Sequence, residues 1–441
     1  MGETNDKITQ VKPKAKAPDI QEILKNADIF SILELSAPEA TNPARYFWWD
    51  ELQYRPSPRG LNSKTWWAGI KLHRMLGRQP IPLTNNKGIP FSFSLLPQIH
   101  ALLHELDNLF GVMPHAAGGK KKSTSYANAI MDESIMSSVL EGAIVTRAEA
   151  REMLRQNRSP LNDHERMVRN NYRTMKYLLA QRDKDLTPDT ILDLHRQMTE
   201  DTLDDPAKCG CLRSAEDNVR VENVVTAEII HVPPPAEMLP ERLRLMCDFA
   251  NGAGGYIHPV LRAVMLHFWL AFDHPFVDGN GRTARSLFYW AMLRGGYDLI
   301  EYISISQEID LHPKRYYLSF QQTEEDDGDL NYFIFNQLHT ILDAVRKLKW
   351  SADEAESVLY AGEDVPEDDL ALNPRQKAFM QQIRQLPPKA SFSITAYCDQ
   401  FKVVRQTART DLAALVHVGI LSCRKQGKTF LYSLSPSAQG N

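Results

Sequence analysis

A mainly α-helical protein with more than one domain is the fold class this sequence predicts, on three observations. Apolar residues recur at three- and four-residue steps through most of the chain, as in Leu261, Met265, Phe268 and Phe272, or Phe335, Leu338 and Leu342. β-prone runs are few and short, confined to the stretch before Pro233 and to the C-terminal region. At 441 residues the chain is long enough to bury more than one core. With 43% hydrophobic and 24% charged residues and a formal net charge of −4, the composition is that of an ordinary soluble protein, and no global field points to a partner.

Residues 1–18 are polar, with Lys7, Lys12, Lys14 and Lys16, and read as a mobile tail. Residues 19–125 read as a helical N-terminal domain with an aromatic core, supplied by Tyr46, Phe47, Trp48 and Trp49 and by Trp66 and Trp67 leading into Leu72, Met75 and Leu76. Near its end, Gly111 to Ala127, which holds Gly118, Gly119 and the Lys120–Ser125 run, breaks the periodicity and reads as an exposed loop. A second domain spans residues 126–350. Its first helix starts near Ala127 and holds Ser137 and Glu141, four apart and therefore on one face, with Gly142 after them. Further helices lie between residues 161 and 200, including Ile191–Met198, and residues 210–221 turn more extended. Ile229, Ile230 and His231 then form a short β-prone segment closed by Pro233, Pro234 and Pro235, a surface hairpin by composition.

The densest chemistry lies at residues 274–285, where a histidine, a carboxylate, two glycines and two arginines share twelve positions. Pro259 suits the first position of a helix that ends just before the stretch, and Ala284, Leu287, Phe288 and Ala291 begin another that Gly295 and Gly296 stop. The stretch is therefore a helix-loop-helix, with Gly279, Asn280 and Gly281 at the second helix's N-terminus. Free backbone N–H groups and the helix dipole make such a point an anion site. Arg282 and Arg285 share one face of the first turn and match phosphate oxygens, which suggests a polyphosphate. Asp278 is an oxygen ligand suited to Mg²⁺ bridging those phosphates. His274 is the only general base in the neighbouring sequence.

The stretch resembles the signature of the Fic family, H-x-F-x-[D/E]-G-N-G-R-x-x-R, and matches it at every specified position. That resemblance implies an all-helical catalytic domain that moves AMP from ATP, with Mg²⁺, onto a protein hydroxyl. It implies that His274 deprotonates a target Ser, Thr or Tyr, that Asp278 holds Mg²⁺, that Gly279, Asn280, Gly281 and Arg282 cradle the α- and β-phosphates, and that Arg285 takes the γ-phosphate. Ser137, Glu141 and Gly142 match the family's inhibitory motif [S/T]-x-x-x-E-[G/N], whose glutamate pairs with the second motif arginine, here Arg285. By the same resemblance Ile229, Ile230 and His231 fall at the flap, a strand edge to which an extended target segment adds, and residues 19–125 resemble the helical region ahead of the catalytic domain in one group of the family.

Beyond the motif, a helix over Glu308–Gln321 and another over Asp329–Leu348 read as core packing. Residues 351–371 read as an acidic linker, since Ser351–Leu370 holds eight acidic residues and no basic one. Residues 372–441 reverse the sign, with ten Lys or Arg against Asp399 and Asp411, a balance of 10 − 2 = +8. Their expected order is a helix over Pro374–Leu386, a short strand at Phe392–Ile394, helices over Ala396–Phe401 and Arg405–Val418, and a hairpin closed by Gly427. This resembles a winged helix-turn-helix, with Arg405, Thr407 and Arg409 opening the recognition helix. A DNA partner and a protein partner both remain open for it.

Five cysteines, an odd and sparse set, suit a reducing compartment, and Cys209 and Cys211 lack the second ligand pair a zinc site would need. No apolar run approaches membrane-spanning length and no secretory leader is read, so a cytoplasmic protein with no membrane partner is expected. The sequence thus predicts an adenylyltransferase, self-modifying and autoinhibited by Glu141. Two alternatives stay open: a hydrolase removing AMP from modified proteins, with Glu141 orienting water, and a DNA-binding regulator with a nucleotide-sensing domain.

Overall fold

The computed structural model describes residues 17–112 apart from 26, 42–45 and 59, then 120–222 and 229–360. In the C-terminal region it describes 375–376, 378–379, 392–401, 403, 407–408, 411–412, 415–416, 420–426 and 429–434. The tail expected over residues 1–18 lies, but for its last two, outside the described residues. The chain divides into two compact units, Met1–Val345 and Arg346–Asn441.

In the first unit the chain begins with α1 (Ile20–Leu24), α2 (Ile29–Thr41), α3 (Trp49–Leu52) and α4 (Ser63–Leu76). Asn62 caps α4 through a capping box with Thr65. Trp48, Trp49, Trp66 and Trp67 cluster as expected, and Tyr332 from far downstream joins them. A hairpin that the sequence reading does not anticipate follows, β1 (Gln79–Thr84) paired antiparallel with β2 (Pro90–Phe93). Next come α5 (Pro97–Val112) and α6 (Lys120–Leu140). α6 begins at Lys120, so the expected loop over Lys120–Ser125 is helical; lysine is a good helix former, and the break signal is spent by Gly118 and Gly119. Lys71 pairs with Asp326 in the interior, and Arg74 bonds the Tyr332 hydroxyl at 2.8 Å. The expected N-terminal and catalytic domains thus fall within one compact unit.

α7 (Arg147–Gln156), α8 (Asp163–Ala180) and α9 (Pro188–Thr199) carry apolar faces inward and start on side-chain caps from Thr146, Asn162 and Thr187. β3 (Val221–Glu222) and β4 (Ile229–His231) form a small antiparallel ribbon whose connecting residues 223–228 lie outside the described residues. After α10 (Leu239–Ala250) come α11 (Pro259–Asp273) and α12 (Asn280–Arg294), which pack against each other. Val260, Leu261, Val264, Met265, Leu266, Phe268, Trp269 and Leu270 are all buried, so α11 runs through the core, with His267 buried among them. Each large buried side chain contributes about 1.5–3 kcal/mol, which makes α11 a rigid base for the loop that follows it.

The helix expected over Glu308–Gln321 is two, α13 (Ile305–Leu311) and α14 (Pro313–Glu325), because Pro313 lacks the N–H to continue the first and starts the second at its first position. α15 (Asn331–Tyr360) runs ten residues into the stretch expected as linker, whose remainder lies outside the described residues. In the second unit β5 (Phe392–Ser393), α16 (Ile394–Phe401), β6 (Leu421–Gln426) and β7 (Thr429–Leu434) include an antiparallel sheet of order β5-β7-β6. Phe379, Ile394, Tyr397, Leu412, Leu415 and Tyr432 form its core. Thr407 is helical, while Arg405 and Arg409 lie outside the described residues.

Candidate active site

α11 ends at His274, whose φ of 44° and ψ of 57° are left-handed, an uncommon conformation for a non-glycine residue. That turn swings the imidazole out of the helix. Its Nδ1 lies 3.2 Å from the Ala271 carbonyl, so Nδ1 carries the proton and donates, leaving the Nε2 lone pair available. The ring is half-buried, and its pKa is lowered to about 4, chiefly by burial, with the His231 and Arg213 charges adding to it. His274 is therefore a neutral imidazole at pH 7, the form a general base needs.

The loop after it is folded on itself by Asn280, whose side chain accepts from Phe276 N–H and donates to Phe276 O, both at 2.9 Å. Gly279 caps α12 with φ +81°, a conformation that favours glycine, and an added Cβ there would come within 3.0 Å of Thr199 Cγ2. Gly281 is needed for space: an added Cβ would meet Glu141 Oε1 at 2.1 Å and Arg285 Nη1 at 3.0 Å. The Glu141 carboxylate is thus seated against the glycine cradle.

The two motif arginines are held differently. Arg282 is fully buried; its Nη2 donates to Asp278 Oδ2 at 2.9 Å, while Nε and Nη1 have no hydrogen-bond partner among the described residues. Arg285 donates from Nε to Ser137 Oγ at 2.8 Å and from Nη2 to Ser137 O and Glu141 Oε1, both at 2.9 Å. Burial works against the Arg285 charge, but Glu141 outweighs it and holds the guanidinium firmly protonated. Ser137, Glu141 and Arg285 are therefore brought together, while Gly142 ends that turn with φ +94° and its N–H on Val139 O.

The fold brings two more imidazoles to the loop, which sequence reasoning did not place there. His195 of α9 stacks on Phe276 with ring centroids 3.7 Å apart and uses both nitrogens, on Asp278 O at 2.9 Å and Gly210 N–H at 3.1 Å. His231 uses both of its own, 2.7 Å from Phe272 O and 2.8 Å from Glu324. Burial pulls its pKa down, yet Glu324 overrides that and the net shift is upward. Of the three, His274 alone keeps a nitrogen available. The His231 side chain consequently points inward, not into an exposed edge; on β4, Ile229 is 42% exposed and Ile230 half-buried.

Arg213 is a further residue that sequence reasoning missed. It donates to His274 O at 2.8 Å and Pro234 O at 2.6 Å, tying the loop to the segment after β4. Below it, Arg242 pairs with the buried Asp273 at 2.5 Å and also reaches Thr84 O at 2.9 Å. Nothing in local spacing signals these contacts, which join residues 61, 21, 31 and 158 positions apart.

The donor set fits a polyphosphate, since Arg282 keeps two buried donors unpaired beside a glycine-built cradle at a helix start. Among the described residues no group of three or more His, Cys, Asp or Glu could hold a metal on its own. Asp278, 50% exposed at its side chain, supplies one carboxylate. That fits Mg²⁺, which is held by one or two carboxylates together with substrate phosphates and water.

Residues 185–292 match the Fic/DOC family. The chain is 30% identical over 154 residues to "Protein adenylyltransferase Fic" of Nematostella vectensis, covering 32% of this chain and 34% of that protein. It is 33% identical over 121 residues to "Protein adenylyltransferase fic-1" of Caenorhabditis elegans, covering 27% and 22%. The chain therefore spans about a third or less of the length of these curated relatives. A crystal structure of a Fic family protein from Desulfovibrio desulfuricans G20 is similar with a TM-score of 0.49 and 19% identity, over 78% of this chain and 97% of that one. His195, Gly210, Arg213, His231 and the whole loop from His274 to Arg285 lie inside the matched stretch, and Ser137 and Glu141 lie outside it. The similarity to the Fic/DOC family therefore rests on residues 185–292, the stretch that holds the loop from His274 to Arg285.

Proposed function

We propose that this chain is a protein adenylyltransferase, transferring AMP from ATP to a Ser, Thr or Tyr hydroxyl of a protein target, with Glu141 as its internal inhibitor. The observation that carries the reading is the Glu141 carboxylate seated between Gly281 and Arg285, where an incoming phosphate would need both the cradle and the cation. The names of the relatives support the activity.

In this reading His274 Nε2 takes the proton of the target hydroxyl as its oxygen bonds to the α-phosphorus. The bond to the α–β bridging oxygen breaks and pyrophosphate leaves. Gly279, Asn280, Gly281 and Arg282 hold the α- and β-phosphates, and Arg285, once released by Glu141, holds the γ-phosphate. Asp278 would hold Mg²⁺, which neutralises phosphate charge when bound. An extended target segment would add along β4 beside Ile229 and Ile230, and the enzyme's own hydroxyls are candidate targets. The same seat of Glu141 supports a second reading, AMP removal with that carboxylate orienting a water.

For residues 372–441 we infer a winged helix from the sheet order and apolar core; their +8 charge supports DNA as partner and leaves a protein partner as the rival. No helix among the described residues is long and apolar enough to cross a membrane. The free thiols of Cys209, Cys211, Cys247 and Cys398 support a reducing, cytoplasmic setting. Mass-spectrometric AMP incorporation by wild type, Glu141→Gly and Glu141→Gly with His274→Ala tests the reading. It expects a low, a raised and an abolished signal, and a matching signal in all three refutes it. Release of AMP from a pre-modified protein tests the second.

A further inference from the structure

The loop over residues 273–279 has the carbonyls of Asp273, His274, Pro275 and Asp278 held by Arg213 and His195. Arg213 Nε donates to His274 O at 2.8 Å, its Nη2 to Asp273 O at 3.3 Å, and its backbone N–H to Pro275 O at 2.9 Å. His195 Nε2 lies 2.9 Å from Asp278 O. In a trans peptide the C=O and the following N–H point to opposite sides. A carbonyl held in this way therefore aims the next N–H away from its partner, and for Asp278 that N–H belongs to Gly279, at the start of α12 where donors lack intrahelical partners.

We propose that His195 is a positioning residue for the phosphate site: by donating from Nε2–H to Asp278 O it fixes the 278–279 peptide plane so that the Gly279 N–H faces the anion. The inference rests on the anion site of the proposed function. Its tautomer follows from geometry, because Gly210 N–H can only donate, so the His195 Nδ1 it reaches at 3.1 Å must accept and the ring proton sits on Nε2. Only glycine brings that N–H so close: Gly210 has φ +74°, and an added Cβ would come within 2.8 Å of Arg196 Cβ. The ring cannot swing, being buried and stacked on Phe276 at an interplanar angle of 4°, and a Cβ on Gly279 would lie 3.5 Å from Nε2.

The test measures binding of inorganic pyrophosphate by calorimetry to the full chain carrying Glu141→Gly, which frees the site, alone and with His195→Phe or His195→Gln. Phenylalanine keeps the stack and loses both hydrogen bonds; glutamine keeps a donor of similar reach. We expect pyrophosphate binding about tenfold weaker or worse with His195→Phe, the loss of roughly one hydrogen bond to a charged group, and partial recovery with His195→Gln. Equal affinity in all three overturns the inference, whereas no pyrophosphate binding by Glu141→Gly itself overturns the anion-site reading instead. Should His195→Phe not fold, ¹⁵N-histidine NMR of the wild-type chain decides: a proton on Nε2 and a bare Nδ1 at pH 7 sustain the inference, and the opposite tautomer overturns it.

Discussion

Under the proposed function, removing the Glu141 carboxylate should raise AMP transfer, and the structure sets the scale. Arg285 is almost sealed from solvent, at 3% side-chain exposure, and Glu141 is 22% exposed at a separation of 2.9 Å. A hydrogen bond to a charged partner in such a setting contributes roughly 1.5–3 kcal/mol. A γ-phosphate must displace that bond to reach Arg285, so its loss predicts a rise of roughly ten- to hundredfold in AMP transfer. Arg285 would not collapse, because Ser137 Oγ and Ser137 O still hold it at 2.8 and 2.9 Å. Productive phosphate geometry, more than ATP affinity, should improve. Glu141→Gln keeps the length and loses the charge, so it should fall between wild type and Glu141→Gly. The assay is intact-mass quantification of AMP on the enzyme and on added protein at saturating Mg-ATP. Equal rates for wild type and Glu141→Gly would refute inhibition by this carboxylate.

Other expectations follow from the same geometry. In the Glu141→Gly background, His274→Ala should lower transfer by roughly 10²- to 10⁴-fold with nucleotide affinity nearly unchanged, measured by single-turnover kinetics and calorimetry. A histidine whose folded pKa is lowered stays neutral until the pH falls to that lower value, so the rate should hold level from pH 8 to 6 and titrate away near pH 4; a limb centred near 6.5 would contradict the burial argument. Asp278→Ala should weaken nucleotide binding in Mg²⁺ far more than in EDTA, by calorimetry, and equal losses in both would remove it as the metal ligand. If the C-terminal unit binds DNA, anisotropy with a duplex should show affinity falling steeply with salt, and no binding by the full chain at low salt would favour a protein partner.

The loop from His274 to Arg285 was legible because its chemistry is contiguous and flanked by two strongly periodic helices, so sequence order and spatial order coincide there. The Glu141–Arg285 contact joins residues 144 apart and could be anticipated only through the motif around Ser137. His195 and Arg213 were invisible for the same reason without that help: their partners are carbonyl groups, and any residue type carries one. The β1–β2 hairpin was missed because Pro80, Pro82 and Pro90 demote a strand signal, although Asn85, Asn86 and Gly88 between Leu83 and Phe91 mark the turn. Pro313 was a readable helix break, and the burial of His231 was not, since period-2 alternation does not say which face of a two-stranded ribbon meets the core.

Two arginines three positions apart on one helix present opposite solutions to the same requirement. Arg282 is buried with two donors unpaired, a condition that costs stability and persists where a ligand completes the bonding. Its single anchor on Asp278 fixes the head without consuming the remaining donors. Arg285 is fully engaged, by Ser137 and by Glu141, and its contact with Glu141 is the one that can be lost while the other two remain. Under the proposed function the first arginine is therefore permanently ready for phosphate and the second is conditionally so. Regulation then needs no rearrangement of the catalytic loop, whose backbone is held by Asn280, His195 and Arg213; it needs only a change in where one carboxylate at the end of α6 rests.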